Sequence, residues 1–221
     1  AHVSCLAEQA KILFAEAEEN NLGMKVWNER LARWHTCSLC EQEYHGVTRC
    51  ALGWACWKTH VGRPEDDQVR GMAMNLLGSG LSDAGHYEDA LTVQEAELAM
   101  LRRIGASYRI LGVQNNLANT YVDLGRLEPA LRLKRDVYSA RLRLGGEEHE
   151  RTLLAANNYA NSLVKLQRYA EAKSVLRKSI PVARRVLGDS DKDTLRMRWN
   201  CATALLVDPT ATLGDVREAV T

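Results

Sequence analysis

Long hydrophobic runs, phenylalanine and proline are scarce in this sequence of 221 residues. It has one Phe and four Pro, and runs of β-branched residues are rare, although 46% of the residues are hydrophobic. This composition is sufficient for a continuous core and favours helices over strands. No stretch approaches the ~20 apolar residues of a membrane span, and no secretory pattern opens the sequence. We therefore expect an all-α protein of the cytoplasm without a membrane segment.

A charge excess of either sign is also missing, because 29 Lys and Arg residues balance 28 Asp and Glu residues to give a net charge of +1. Proteins that bind nucleic acids mainly by electrostatics carry a clear basic excess. Nucleic acid is therefore not an expected partner. Basic clusters nevertheless occur at residues 132–135, 177–178 and 184–185. They form either a solvated face with local salt bridges or a surface for an acidic partner.

Catalytic motifs are absent as well. The sequence has no G-x-S-x-G, no glycine-rich phosphate loop and no H-E-x-x-H. Cys40 and His45 are close enough in sequence to form a Cys-His pair, but no third residue or oxyanion donor accompanies them. We therefore expect neither enzyme activity nor a small-molecule substrate.

The sequence does contain a repeat of about forty-two residues. An Asn-rich string marks each copy, at residues 115–119 and 157–161 and more weakly at residues 75–79. A turn and a second helical pattern follow each string. A fourth copy begins at Thr194 and carries Trp199 in place of the first Asn of the string. Self-similarity at this period predicts stacked antiparallel helix hairpins.

Small residues recur where the two helices of a hairpin approach each other, which is required for axes near the lower end of the usual ~8–10 Å spacing. The recurring positions are Gly78, Ala118, Ala160 and Ala202 in the first helices and Ala90, Ala130 and Ala172 in the second. Glycine adopts the left-handed conformation at a helix C-terminus at little cost, so we expect Gly85 and Gly125 to end two first helices. Gln167 holds this position in the third copy, where we expect it to lower stability.

These residues resemble tetratricopeptide repeats of the kinesin light chain type, whose units close with a segment such as residues 184–188, Arg-Arg-Val-Leu-Gly. Residues 141–145 are the matching segment one repeat earlier. The resemblance covers residues 68–221. It implies a right-handed superhelix of about three and a half repeats within residues 65–221, and recognition of a cargo-type peptide or protein. No heptad run that would bind a motor accompanies it.

In this register, first-helix residues line the concave groove of the superhelix. The predicted groove residues are Asn75, Asn115, Asn119, Asn157, Asn161 and Lys165. An Asn side chain offers a donor and an acceptor, so a ladder of them suits the backbone of an extended peptide. The alternative is that these Asn side chains bond between adjacent hairpins.

The first third of the sequence has a different pattern. Residues 1–34 predict a helical hairpin, with a break near residues 20–23, that either caps the first repeat or ends an upstream array. Residues 35–64 form a Cys/His-rich segment, and residues 48–61 within it predict a helix. Residues 65–221 then hold the repeats.

The Cys/His-rich segment contains a candidate metal site. It includes the spacing C-x2-C-x4-H-x4-C, formed by Cys37, Cys40, His45 and Cys50. Three thiolates and one imidazole are a standard tetrahedral zinc set, and four protein ligands indicate a structural site. The glycine that usually follows the second Cys of a zinc knuckle is replaced by Glu41.

That replacement leaves a second arrangement open. Cys56 and His60 are four residues apart on the predicted helix, and the two could join Cys37 and Cys40 around the same ion. The third interpretation needs no metal, because reduced cysteines pack as small hydrophobic residues in an intracellular protein. The fourth is a disulfide between two of these cysteines.

The sequence therefore supports two hypotheses of different classes. The first is a non-catalytic scaffold that binds a peptide or protein in the repeat groove. The second is a zinc-binding adaptor in which the Cys/His-rich segment is the recognition element and the repeats support it.

Overall fold

The chain is built almost entirely from α-helices. The computed structural model describes residues 2–220. The helices of this part are α1 (Val3–Glu19), α2 (Met24–Leu31), α3 (Gly46–His60), α4 (Gln68–Asp83), α5 (Tyr87–Arg103), α6 (Ser107–Asp123), α7 (Leu127–Gly145), α8 (Glu150–Lys165), α9 (Tyr169–Val186), α10 (Lys192–Val207) and α11 (Leu213–Val220). A 3-10 turn, Ala32–Trp34, follows α2. The all-α prediction is confirmed.

Extended structure within residues 2–220 is limited to an isolated antiparallel bridge between Thr36 and Glu43. Among the helices described above, none combines the length and the apolar character that crossing a bilayer requires. The chain divides into two compact units, residues 1–120 and residues 121–221, which are considered separately below. The finer predicted division at residues 34 and 64 stays a prediction.

In the first unit, α1 and α2 pack around an aromatic core. Phe14 and Trp34 are each 1% exposed, and Trp27 meets Phe14 edge-on with ring centroids 5.3 Å apart. The chain reverses between the two helices at Asn21, whose φ is 50°. This reversal lies within the predicted break, so the helical hairpin expected at the start of the sequence is present.

Also in the first unit, α3 and α4 approach each other at glycine residues. A Cβ atom added to Gly80 would lie 2.8 Å from the Cα of Cys50, and one added to Gly53 would lie 2.8 Å from the carbonyl oxygen of Leu76. Atoms cannot pack this closely without moving the backbone. The backbone of α3 therefore rests directly on the backbone of α4.

In the second unit, α7 to α10 pack as successive antiparallel helices around an aliphatic core. Its centre includes Leu153, Leu176 and Met197, all at most 2% exposed. A neighbouring part of the core joins Leu131 and Leu163. Each helix of this unit therefore buries one apolar face, as the periodicity predicted.

The small-residue register is observed in the hairpins. Ala90, Ala118, Ala130, Ala160 and Ala172 are all fully buried, at 0% exposure. The fourth copy differs, because Ala202 is only half-buried and its neighbour Cys201 occupies the buried position, at 7% exposure. The corresponding Gly78 is also tight, since a Cβ there would lie 3.0 Å from the side chain of Gln94.

The turns that follow the first helices share one backbone conformation. Gly85 and Gly125 adopt φ values of 84° and 71°, and Gln167 adopts 59° at the equivalent position. Left-handed backbone costs a residue with a Cβ roughly 1–2 kcal/mol. Gln167 therefore sits in the same turn as the glycines but under strain.

Candidate interaction surface and cysteine segment

Asn75 contributes to a buried polar cluster of the first unit. Its Nδ2 donates to Oε2 of Glu97 on α5 at 3.3 Å. Glu97 is 1% exposed, and Nη2 of Arg109 on α6 lies 3.6 Å from its other oxygen, Oε1. We call these three residues the Glu97 network. Asn75 thus bonds inside its own hairpin.

Burial controls the charge of this network. It raises the pKa of Glu97 from 4.5 to about 7, against the opposing influence of Asn75 and Arg109. Gly71 on α4 makes room for the network, because a Cβ atom at that position would collide with the guanidinium of Arg109. A side chain at this position would therefore displace the guanidinium from its present place beside the carboxylate.

Asn157 is internal as well, in the second unit. It is 2% exposed, and its Oδ1 accepts a hydrogen bond from Nδ2 of Asn200 at 2.8 Å. The contact joins α8 to α10, the first helices of adjacent hairpins. Asn157 therefore bonds between adjacent hairpins, which the sequence analysis gave as the alternative to peptide binding.

The other predicted groove residues are more accessible. Asn119 on α6 is exposed and Asn115 on the same helix is half-buried. On α8, Asn161 and Lys165 are both exposed. Binding of a peptide by these residues stays a prediction.

One side of α8 presents a continuous accessible face. Arg151, Leu154, Asn161 and Lys165 recur on it at helical intervals and are all exposed. Leu154 contributes an apolar patch, since it is 36% exposed. We call these four residues the α8 face.

A buried lysine adds positive charge near the end of the α8 face. Lys134 on α7 is 3% exposed. Burial, with Lys165 nearby, lowers the pKa of Lys134 from 10.5 to about 8. Two lysines close enough to influence each other raise the local positive potential.

The adjacent helix α10 exposes large apolar side chains. Trp199 is 73% exposed, Leu206 63% and Leu195 48%. The buried residues of α10 include Thr194, Met197 and Cys201, and Leu195 and Trp199 lie on a different side of the helix. We call Leu195, Trp199 and Leu206 the α10 face.

Sequence reasoning noted Trp199 as an irregular member of the Asn string and assigned it no role. The available signal was the replacement itself, because a large aromatic residue had taken the place of the first Asn of the string. Asn200, next to Trp199, bonds Asn157 on α8, so the α8 face and the α10 face belong to neighbouring helices of one unit.

The Cys/His-rich segment begins with a short hairpin, residues 35–44, which we call the Cys hairpin. The Thr36 to Glu43 bridge closes it, and the N–H of Tyr44 donates to the carbonyl of His35 at 2.9 Å. Glu41 turns the chain with a φ of 56°, so it adopts the conformation of the glycine that it replaces. Cys37 and Cys40 lie on either side of this turn's tip.

Hydrogen bonds converge on the sulfur of Cys37. The N–H of Leu39 donates to it at 3.5 Å, and the N–H and thiol of Cys40 favour its thiolate form. These bonds, that of the Cys40 N–H first, lower the pKa of Cys37 from 9.0 to about 7. The turn thus brings the two cysteines of the C-x2-C motif together and favours the thiolate of the first.

The other two members of the first zinc set lie elsewhere. The side chain of His45 is 73% exposed and its Nδ1 lies 4.0 Å from Oδ2 of Asp83 on α4. Cys50 is buried where α3 meets Gly80, against Leu77 and Leu81. Burial raises the pKa of its thiol, which disfavours the thiolate that a metal needs.

Cys56 and His60, the second pair, are buried in the aromatic core. Cys56 is 0% exposed, and burial raises its pKa to about 12. The His60 ring lies edge-on to Phe14 and Trp34, with centroids 5.5 Å and 6.0 Å away. Burial lowers the pKa of His60, which favours its neutral form.

Neither predicted zinc set is assembled. Within residues 2–220, no group of three or more His, Cys, Asp or Glu side chains has a geometry that could hold a metal ion. What the structure does bring together is the pair Cys37 and Cys40. Zinc binding, and with it the zinc-binding adaptor, stays a prediction that metal analysis of the purified protein would decide.

Comparison with known proteins agrees with this architecture. Residues 109–185 match the family model of the tetratricopeptide repeat. The fold is that of tetratricopeptide repeats. This confirms the prediction made from the Asn strings and the small-residue register. No curated protein matches the chain.

Solved structures are similar over nearly the whole chain. One contains the nearly identical TPR-like repeats of a kinesin light chain of Podosopora anserina, with 15% identity, a TM-score of 0.66, and coverage of 99% of this chain and 93% of that one. Another is BtubC (BKLC) from P. vanneervenii, with 15% identity, a TM-score of 0.69, and coverage of 100% and 87%. At this identity the likeness concerns the fold.

Proposed function

We propose that the protein is a non-catalytic, cytoplasmic scaffold whose second unit binds a peptide or protein partner through the α8 and α10 faces. The observation that carries the proposal is the exposure of Trp199, 73%, among other exposed apolar residues of α10. Exposed apolar patches rimmed by polar residues mark interaction sites, and tryptophan is enriched among residues that dominate binding energy.

The charges around these faces favour an acidic partner. The exposed basic side chains of α8 and α10 are Arg151, Lys165, Lys192, Arg196 and Arg198. Lys134 adds to the positive potential beside Lys165. A peptide with an apolar anchor for Trp199 and acidic residues for α8 would complement both parts of the surface.

The tetratricopeptide-repeat fold supports the non-catalytic part of the proposal, because stacked hairpins provide extended binding surfaces. Among the described residues the cysteines are free thiols, as in a reducing compartment, which supports a cytoplasmic location. The asparagine ladder has a narrower role here than the sequence suggested. Asn161 remains available for a peptide backbone, whereas Asn157 is engaged with Asn200.

The test is a selection of peptides from a random displayed library against the wild-type protein, followed by affinity measurements on single variants. We expect the selected peptides to be acidic and to carry an aromatic or aliphatic anchor. Trp199→Ala should weaken binding about tenfold or more, in line with the loss of an interface anchor. Lys165→Glu should weaken it most at low salt, where charges are least screened.

Leu144→Ala is the matched control, because Leu144 is an exposed apolar residue, at 77%, on α7 and outside both faces. It should leave affinity unchanged. Circular dichroism should show the same helicity in all variants. Peptides that bind Trp199→Ala and Lys165→Glu as tightly as wild type would place the binding site on another surface.

A further inference from the structure

The Cys hairpin holds two thiols side by side at an accessible turn. Cys40 is exposed, Cys37 is half-buried, and Leu39 between them is 93% exposed. Backbone hydrogen bonds fix the turn on both sides of the pair, from Cys37 N to Gln42 O at 2.9 Å and from Glu41 N to Cys37 O at 3.1 Å. The two cysteines are therefore held in place by the main chain.

Cys37 Sγ is directed over the turn, since it accepts a hydrogen bond from the Leu39 N–H at 3.5 Å, and Cys40 lies close enough to lower the pKa of Cys37. A disulfide can form only between cysteines whose side chains face each other at short range. The turn supplies this arrangement in the reduced state. Closing the bond therefore needs no unfolding of the hairpin.

None of the other cysteines of the first unit described here is both accessible to solvent and close to a second thiol in the same turn. Cys50 is buried at the contact between α3 and α4, and Cys56 is 0% exposed in the aromatic core. Cys5 is exposed on α1. It provides an accessible thiol outside the Cys hairpin and therefore a natural control.

We propose that Cys37 and Cys40 form a reversible dithiol–disulfide couple that is oxidised by a low-molecular-weight disulfide such as oxidised glutathione. The thiolate of one cysteine attacks a sulfur of the small disulfide, whose S–S bond breaks and releases one small thiolate. The second cysteine, as its thiolate, attacks the protein sulfur of this mixed disulfide and displaces the other small thiolate.

The reaction is balanced. The protein loses two protons and two electrons and gains one S–S bond, while the small disulfide becomes two thiols. Thiol–disulfide exchange is reversible, so an excess of the small thiol restores the dithiol. Disulfides of intracellular proteins are usually transient and redox-sensing, which suits a pair at an exposed turn. Oxidation of Cys37 and Cys40 does not require a partner bound to α8 or α10.

The experiment equilibrates the intact protein in glutathione buffers of increasing oxidised fraction, quenches with acid, alkylates free thiols and maps the peptides by mass spectrometry. We expect the peptide with Cys37 and Cys40 to lose both alkylation sites together and to lack two hydrogens. Dithiothreitol should restore both sites. Cys37→Ser and Cys40→Ser should each keep a glutathione adduct on the remaining cysteine, because no second thiol displaces it.

Cys5→Ser is the control and should form the Cys37–Cys40 disulfide as wild type does. Three results would overturn the proposal. The pair could stay reduced in every buffer, or the wild type could accumulate a lasting glutathione adduct on Cys37 or Cys40. Stoichiometric zinc that protects the pair from alkylation until a chelator removes it would assign these cysteines to a metal.

Discussion

The two units use the same repeat position in different ways. In the first unit Asn75 donates to the carboxylate of Glu97, and in the second Asn157 accepts from the amide of Asn200. One contact involves a group that titrates and the other joins two neutral amides. Equivalent positions of the internal repeat therefore both form a polar contact. Whether that contact depends on pH is determined by the residue that it bonds to.

Helix packing differs between the units as well. In the first unit, Gly53 and Gly80 let the backbones of α3 and α4 touch. In the second unit, the fully buried residues Ala160 and Ala172 pack through their methyl groups instead of through backbone atoms. We therefore expect the first unit to tolerate added atoms least. We also expect it to carry the stronger dependence of stability on pH between about 4.5 and 7, where Glu97 titrates, whereas Lys134 of the second unit acts between about 8 and 10.5.

The largest expected effect concerns pH. The raised pKa of Glu97 means that its contribution to stability is fully present below about pH 4.5 and is lost as the pH rises through about 7. The loss should be about 3–4 kcal/mol. Glu97→Gln cannot ionise, so its free energy of unfolding in urea should not show this loss.

Comparison of the two proteins isolates Glu97. His35 and His60, whose pKa values burial lowers, also titrate in the acidic range but are present in both proteins. Equal pH profiles for wild type and Glu97→Gln would mean that the pKa of Glu97 is the same in the folded and unfolded states, and would contradict the prediction.

The next effect concerns the glycine contact. Gly80→Ala should destabilise the protein by about 1–3 kcal/mol, because its new Cβ would overlap Cys50 on α3. Gly112→Ala is the matched control, since Gly112 lies in α6 with no atom within 4 Å of an added Cβ. It should stabilise by roughly 0.5–1 kcal/mol through helix propensity. Thermal unfolding would reveal a failed prediction if both variants shifted in the same direction.

A smaller effect is expected at the amide pair of the second unit. Asn157→Ala removes a buried hydrogen bond and leaves Asn200 with one partner fewer, at a cost of about 1–2 kcal/mol. Asn161→Ala, on the exposed α8 face, should change stability by less than about 0.5 kcal/mol. Urea titrations at two pH values should give the same loss for Asn157→Ala, unlike variants of Glu97. Equal stability of the two alanine variants would contradict the role of Asn157.

The smallest effect should be a gain. Gln167→Gly relieves left-handed strain at the turn after α8 and should stabilise the protein by about 1 kcal/mol. Gly125→Gln introduces the same strain after α6 and should cost a similar amount. Melting temperatures that do not move in opposite directions would show that the Gln167 side chain compensates its backbone.

Much of the fold could be predicted because its signals are local. Glycine at Gly85 and Gly125, alanine at Ala118 and Ala160, and the break near Asn21 each act through their own backbone or the next turn. Gln167 was also predictable, since its repeat position alone requires a positive φ.

Polar partners could not be predicted in the same way. Asn75 and Glu97 are on different helices, and so are Asn157 and Asn200, so their contacts depend on how hairpins stack. The exposure of Trp199 depends on what covers α10, which no local pattern reports. Repeat periodicity thus locates a candidate surface, while packing decides which of its residues are accessible.

The Cys/His-rich segment shows what the spacing of cysteines in a sequence can and cannot predict. The C-x2-C spacing predicted that Cys37 and Cys40 lie close to each other, and Glu41 adopts the backbone of the missing glycine. Their role stays a prediction. Spacing gave no information about helix packing, which buries Cys50 at the contact with α4.

The backbone contact between α3 and α4 leaves no room for water at Gly53 and Gly80. Amide protons in such a contact exchange with deuterium only when the surrounding helices separate. The middle of α3 should therefore exchange as slowly as α4, although it precedes the residues that match the repeat model. Measured by amide exchange, the cooperative repeat structure would begin at α3 and would include the helix that follows the Cys hairpin.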